Sequence, residues 1–261
     1  MKRLLDIMFP LAVALAVLGL WQWIVAAKQI PPYILPAPSA IGAALIQNWS
    51  SLAASMLATI TVTLEGFAGA ALAAILLAIL FSQSRLAERA LYPYAVILQV
   101  TPMVAIAPLI LIWVGFEHID RALALIAGMI AFFPILSNAA QGLKSTDFNL
   151  LDLTRLYGAS RWQTLIKVQM PSALPALLTG LKIGGVIALI GEVTAEFAAG
   201  SGTASGLAWR IVESGNRLEI ATLFAALSLL ALTGILFFAA LSLLEWLLLR
   251  RWHESALRRE N

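Results

Sequence analysis

The chain has 261 residues, 61% of them hydrophobic and 12% charged, with a formal net charge of +3 and a mean hydropathy of +0.90. A soluble globule carries about a quarter of its residues as charges, so this composition excludes that class. Cysteine is absent and histidine occurs only at His118 and His253, which argues against disulfides, thiol catalysis and clustered metal ligands. The cations form no aromatic-interleaved patch of the kind a nucleic-acid binder needs.

Met1 to Ala27 opens with Lys2 and Arg3 and runs apolar from Phe9, with Gln22 as its one strongly polar interruption. At 1.5 Å per residue this stretch crosses a hydrocarbon core of about 30 Å. A cleaved signal peptide ending at Val25-Ala26-Ala27 is the rival. The length of the apolar part and the interfacial aromatics Trp21 and Trp23 favour a retained span. Ile30 to Ser39 is proline-rich and reads as an extended external connector, followed by an amphipathic segment to about Leu52.

The second span, about Met56 to Phe81, carries Gly66, Gly69, Ala70, Ala73 and Ala74, small residues that let another helix approach closely. Ser82 to Leu91, with Arg85, Glu88 and Arg89, reads as a turn on the inner side. The third span, about Pro93 to Phe116, contains Pro102 and Pro108 and should be kinked or broken. Glu117 to Arg121 is a short charge-balanced turn, and a fourth span then runs to about Ala140.

Asp147 to Pro175 is neither greasy enough to lie in lipid nor loose enough to be a linker. Asp147 is a candidate N-cap for a helix whose apolar side is Leu150, Leu151, Leu153, Leu156 and Tyr157, with Asp152 and Arg155 opposite. Gly158 stops it. Ser160-Arg161-Trp162-Gln163 is a capping box that opens a second helix at Arg161, and Pro171, lacking an amide, is expected to end that helix. Such a basic amphipathic pair, with Arg155, Arg161 and Lys167, either rests on lipid headgroups or docks into a groove on a partner.

A fifth span is expected at about Leu177 to Phe197, where Gly180, Gly184, Ala188, Gly191 and Ala195 form a small-residue stripe suited to a close helix contact, across a subunit interface or around a pathway. Ala199 to Gly206 is a flexible external loop; it lacks the Gly-Lys-Ser/Thr ending of a phosphate loop. The sixth span, about Ile220 to Leu249, runs into Arg250-Arg251 and a basic tail.

Six crossings with the N-terminus inside put Lys2, Arg3, Arg85, Arg89, Lys144, Arg155, Arg161, Lys167, Arg250, Arg251, Arg258 and Arg259 on the cytoplasmic side. Only Lys28, Arg121, Arg210 and Arg217 fall outside, with Lys182 near the inner face. The positive-inside rule therefore predicts both termini in the cytoplasm.

Glu65, Glu192, Glu196 and Lys182 lie at membrane depth, where a mid-helix charge costs about 2.5–3.5 kcal/mol, so paired or cavity-facing positions are expected. Glu192 and Glu196, one turn apart, either line a translocation route or touch an external binding protein, or else serve as interfacial carboxylates capping neighbouring helices. Two carboxylates would repel an anionic sulfonate or nitrate, which favours a neutral or cationic heteroaromatic nutrient as cargo. No nucleophile–base pair is present, so no catalytic residue is expected.

Asp152-Leu153-Thr154, three residues, Gly158, nine residues, then Val168-Gln169-Met170-Pro171 resembles the Glu-Ala-Ala, Gly, Ile-x-Leu-Pro signature of permease subunits of bacterial ATP-binding-cassette (ABC) importers. Asp replaces Glu, Leu and Thr replace the two Ala, Val replaces Ile and Met replaces Leu, while the Gly and Pro frame stays intact. The run Gly158 to Ile183 is similar to the branch importing taurine and other sulfonates, nitrate, and thiamine or riboflavin precursors. Phe132 to Leu136 and Ala195-Glu196-Phe197 extend the likeness, and Pro31 to Ser39 resembles that branch's PP-x-LP-x-P-S run.

The resemblance implies an all-α polytopic inner-membrane protein of the type I importer permease fold, with six transmembrane helices and a cytoplasmic coupling-helix pair at about 147–171. On this reading 1–51 is the first helix with its connector, 52–249 the core permease domain and 250–261 a cytoplasmic basic tail. Asp152, Arg155, Tyr157, Gly158, Ala159, Arg161, Val168 and Pro171 would contact a cytoplasmic ATPase. That partner would hold the ATP and Mg, with no cofactor on this chain. A periplasmic solute-binding protein, a second copy of the chain and membrane lipid complete the implied partners. A proton- or sodium-coupled secondary transporter with Glu65, Glu192 and Glu196 as coupling sites is the alternative, although no inverted repeat is visible. A membrane enzyme or structural scaffold is a further rival, disfavoured by the missing nucleophile and base.

Overall fold

Apolar runs bounded by proline, glycine and charge set the helix pattern, because lipid offers the backbone no hydrogen-bond partner and each crossing segment must satisfy its own. The structure, a computed structural model, describes residues 2–200 and 205–250, without the side chains of 2–7 and Phe116. The central stretch of the Ala199–Gly206 loop and the tail beyond Arg250, with Arg251, Arg258 and Arg259, lie outside the described residues, as do the Lys2 and Arg3 side chains. The described residues hold five helices long and apolar enough to cross a membrane, or six when one bent pair counts as a span.

Two compact units emerge from the contacts: residues 2–58 with 205–232, and residues 59–200 with 233–250. The first contains α1 (Lys2–Ala27), α2 (Pro38–Gln47), α10 (Leu207–Asn216) and the opening turns of α3 (Trp49–Gln83) and α11 (Ile220–Leu249). Its core joins Ala44, Leu52, Leu207, Ala225, Ala226 and Leu229. Pro38 opens α2, where a missing amide costs nothing because the first-turn donors are unpaired anyway. The connector thus ends two residues earlier than expected. The break at Asn48 is held by its side-chain amide, which donates to Ala44 O at 3.1 Å and to Thr222 at 3.4 Å.

The second unit contains the rest of α3 and α11, with α4 (Arg85–Val100), α5 (Met103–Val114), α6 (Ile119–Lys144), α7 (Phe148–Leu156), α8 (Arg161–Thr164) and α9 (Met170–Ala199). The kink expected in the third span is a 101° bend between α4 and α5 at Thr101-Pro102. Proline forces the preceding residue out of the α region, and Thr101 sits at ψ 127°. Pro108, by contrast, lies inside α5.

Three expectations need correction. The turn at Ser82 to Leu91 is confined to Ser84, whose side chain caps Ala87 N at 3.2 Å, so Arg85, Glu88 and Arg89 already belong to α4. Pro171 does not end a helix. A π-helical turn at Leu165–Gln169 widens the spiral by one residue and absorbs the missing amide, so Arg161–Ala199 is one continuous helix. Hence the fifth span begins well before Leu177. Finally, no helix is expected between the Gly206 loop and Ile220, yet α10 forms there, with Leu207 and Ile211 packed into the core of its unit.

Candidate functional site

The α7–α8 segment is held by local chemistry that the residues specify. Asp147 accepts from Asn149 N at 2.8 Å and caps α7. At the far end Gly158 takes φ +68°, its N–H donates to Arg155 O at 3.0 Å and Ala159 N donates to Thr154 O at 2.9 Å. That is a Schellman closure, which glycine enters without steric cost. The capping box is formed in both directions: Gln163 N donates to Ser160 Oγ at 3.2 Å, and Ser160 N donates to Gln163 Oε1 at 2.8 Å. Thr164 and Thr154 hydroxyls, 3.3 Å apart, tie the two short helices together.

The resulting handle shows its apolar side outward. No residue of α7 is buried, and Phe148, Leu156 and Tyr157 are 79%, 85% and 82% exposed. Trp162 and Ile166 continue this surface, while Leu165 alone between 161 and 169 is buried. Asp152 and Arg155 form an exposed ion pair at 2.9 Å. Ala159, Val168 and Pro171 are half-buried, and Arg161 is exposed. A groove of about 680 Å³ runs beside the handle, lined by Arg85, Arg155, Arg161, Ala159, Gln83 and Gln169 among others. The sequence singled out the handle but not Arg85 beside it, since nothing local links Arg85 to residues some seventy positions later.

The membrane-depth charges part company. Lys182 pairs with Glu245 of α11 and sits 5.7 Å from the Phe238 ring centroid, which satisfies the expectation of a paired position. Glu245 had no local signal, being 63 residues away. Glu192 and Glu196 are each 1% exposed and so face the interior. Oε2 of Glu192 has no hydrogen-bond partner among the described residues. Asp120 and Glu196 both lie within electrostatic reach of it. Glu65, by contrast, is exposed and lines a cavity of about 460 Å³ with Arg121.

The small-residue stripe resolves into contacts within the chain. A side chain on Gly180 would meet Asn138, one on Gly184 would meet Ile135, and one on Gly191 would meet Ala127 and Ile130. All four partners are on α6, so these glycines serve the α6–α9 crossing. Gly185 faces Leu241 and Phe237 of α11 in the same manner. Of the sequence-selected residues, the handle forms one local cluster and the glycines one helix seam. The three glutamates divide between cavity and core.

Comparison with known proteins adds the lineage. Residues 66–253 match the family described as binding-protein-dependent transport system inner membrane component. The formylaminopyrimidine transport permease protein ThiX of Halalkalibacterium halodurans is 33% identical over 95% of this chain and 98% of its own. The riboflavin transport system permease protein RibX of Chloroflexus aurantiacus is 35% identical over 90% and 86%. The taurine transport system permease protein TauC of Escherichia coli is 30% identical over 92% and 88%. A solved amino acid ABC transporter with histidines shares the fold, with a TM-score of 0.63 at 15% identity over 77% of this chain and 95% of that one. The greasy helices, the glycine-closed handle and these matches agree: this chain belongs to the binding-protein-dependent transport family and is a multi-pass inner-membrane ABC permease of the type I importer fold.

Proposed function

We propose that the chain is the membrane-crossing subunit of an ATP-driven importer, working by alternating access between two packings of its helices. The observation that carries this is the α7–α8 handle: a short pair with an exposed apolar side, covalently continuous with the membrane helix Arg161–Ala199. An apolar helical surface bordered by Arg85, Arg155 and Arg161 suits a partner groove, and the partner is a cytoplasmic ABC ATPase carrying ATP and Mg. Asp152, Arg155, Tyr157, Gly158, Ala159, Arg161, Val168 and Pro171 form or support that contact.

The remaining parts of the reading follow the family. Two copies of the chain associate, a periplasmic solute-binding protein delivers cargo, and both termini lie in the cytoplasm, as the cation distribution favours. The cargo is a small nutrient, either a heteroaromatic vitamin precursor, in the chemical class of the formylaminopyrimidine and riboflavin named for ThiX and RibX, or an anion of the sulfonate or nitrate kind.

The test is affinity purification of the tagged chain from its native membranes. An ABC ATPase identified by mass spectrometry in near-equal amount, with vanadate-sensitive ATP hydrolysis, is the expected result; its absence overturns the reading. Because the chain has no native cysteine, Arg161→Cys can be probed with an impermeant maleimide. Labelling from the outer side of intact cells would place the handle on the wrong face.

A further inference from the structure

The groove beside the handle has a chemistry that docking of the handle's apolar side leaves unused. Its walls are mostly polar, with the guanidinium side chains of Arg85, Arg155 and Arg161 beside the amides of Gln83 and Gln169, and no carboxylate lines it. Arg155 is already paired with Asp152. The guanidinium groups of Arg85 and Arg161 have no hydrogen-bond or ion-pair partner among the described residues. Besides the two arginines, the handle residues that line the groove are the half-buried Leu151, Thr154, Ala159 and Thr164, not the exposed Leu156, Tyr157 and Trp162. The groove therefore opens on a different side of the handle from the surface proposed to meet the ATPase.

Its depth follows from the packing of α3 on α6. A Cβ on Gly66 would sit 2.4 Å from Ala124 O, so Gly66 is level with Ala124. The two helices run in the same direction, since Ala78 and Ile79 further along α3 share a notch with Ala139 and Leu143 further along α6. Arg121 lies three residues before Ala124, and Arg85 lies nineteen residues after Gly66. At 1.5 Å per residue the two arginines are roughly 33 Å apart in depth, close to the thickness of one hydrocarbon core. Arg85 and the groove thus reach the headgroup level on one side when Arg121 reaches it on the other. The notch, about 40 Å³ and almost wholly apolar, lies just on the hydrocarbon side of the groove. It occupies the same helix faces: Ile79 is four residues before Gln83, and Ala173 is four after Gln169.

A ligand that suits both spaces has an anionic head with several acceptor oxygens and an apolar chain. Guanidinium forks match phosphate oxygens two at a time, and basic pockets between membrane helices suit acidic lipid headgroups. A soluble phosphate fills the groove but leaves the notch empty, and an acidic peptide has no chain to place there. We propose that the groove is a binding site for an anionic phospholipid, whose phosphate takes donors from Arg85 and Arg161 and whose chain begins in the notch. One headgroup then ties the start of α4 to the handle, so the acidic-lipid content of the leaflet sets how firmly the handle is held against the helix core. The inference rests on the importer reading for the side of the membrane, which makes that leaflet the cytoplasmic one.

The experiment is native mass spectrometry of the purified permease with its co-purifying partners in detergent micelles, titrated with dioleoylphosphatidylglycerol and separately with dioleoylphosphatidylcholine. Expected is a saturable adduct of one lipid per chain, tighter for phosphatidylglycerol by roughly tenfold or more. Arg85→Gln and Arg161→Gln should each weaken it by about fivefold, the worth of one cation at an anionic surface. Arg89→Gln, equally exposed but outside the groove, should leave it within about twofold. Equal affinity for the two lipids, or the same effect from all three variants, overturns the proposal. Inorganic phosphate or glycerol 1-phosphate competing at the lipid's own concentration would make this a site for free phosphate and overturns it too. So does mutual displacement of the lipid and the ATPase, which would assign the groove to the ATPase contact. Retained ATPase without lipid selectivity sinks the lipid site alone. Absence of the ATPase from the wild-type preparation sinks the importer reading instead, and the lipid titration still reads on the permease by itself.

Discussion

The α6–α9 seam and the α7–α8 handle both depend on glycine, and for opposite reasons. In the seam, Gly180, Gly184 and Gly191 keep ordinary helical backbone, and what matters is the missing side chain: neighbouring atoms of α6 occupy that space at 2.4–3.1 Å. In the handle, Gly158 has nothing within 4 Å of a would-be Cβ, and what matters is its φ of +68°. One region uses glycine to bring two helices together inside the chain; the other uses it to aim an exposed apolar surface away from it. A buried contact tolerates no added volume, whereas an exposed turn tolerates volume but not a change of backbone region.

The contrast breaks first at the seam. Gly184→Leu should remove most of the folded protein, because Ile135 is fully buried and has nowhere to move; overpacking of this kind costs about 1–3 kcal/mol or more. Monodisperse yield from detergent-solubilised membranes reads the effect, and a normal yield would mean that the seam is loose. At the handle, Gly158→Val should leave yield near wild type yet cut ATPase co-purification at least fivefold. A β-branched residue resists a left-handed conformation, which costs roughly 1–2 kcal/mol even for ordinary side chains. Gly158→Asn should recover most of the loss, since asparagine visits that region. Equal damage from Val and Asn would show that bulk, not backbone, is decisive there.

Smaller effects follow within the handle. Ser160→Ala removes one half of the capping box, worth about 1 kcal/mol, and should speed hydrogen exchange at the Gln163 amide severalfold. An unchanged rate would mean that α8 is held by its continuity with α9 instead of its cap. Arg155→Ala breaks an ion pair whose members are 77% and 66% exposed. In solvent such a pair contributes less than about 1 kcal/mol, so thermal unfolding should not shift measurably. A clear drop in melting temperature would mean that Arg155 holds the chain's own fold.

Local rules carried the reading wherever one residue decides a local geometry. Asp147, the Ser160–Gln163 box, Gly158 and the break at Pro102 were all visible because each acts within a few positions of itself. The limits of α11 followed from its unbroken apolar run. The outcome at Pro171 was not visible, because a missing amide can stop a helix or be absorbed by a wider turn, and the choice depends on what packs on the flanking residues. The pairing of Lys182 with Glu245 and the cavity that Glu65 and Arg121 both line depend on which helices become neighbours. The small-residue stripe announced a close contact but not its partner.

The wide turn at Leu165–Gln169 has a mechanical corollary. Trp162, on the exposed surface, shares an uninterrupted backbone with Glu192 and Glu196, so a push or twist received at the handle reaches their level through peptide bonds and does not have to leap between side chains. At the turn the spiral is one residue looser than on either side. The rod that joins the exposed handle to the buried glutamates therefore carries its own built-in joint.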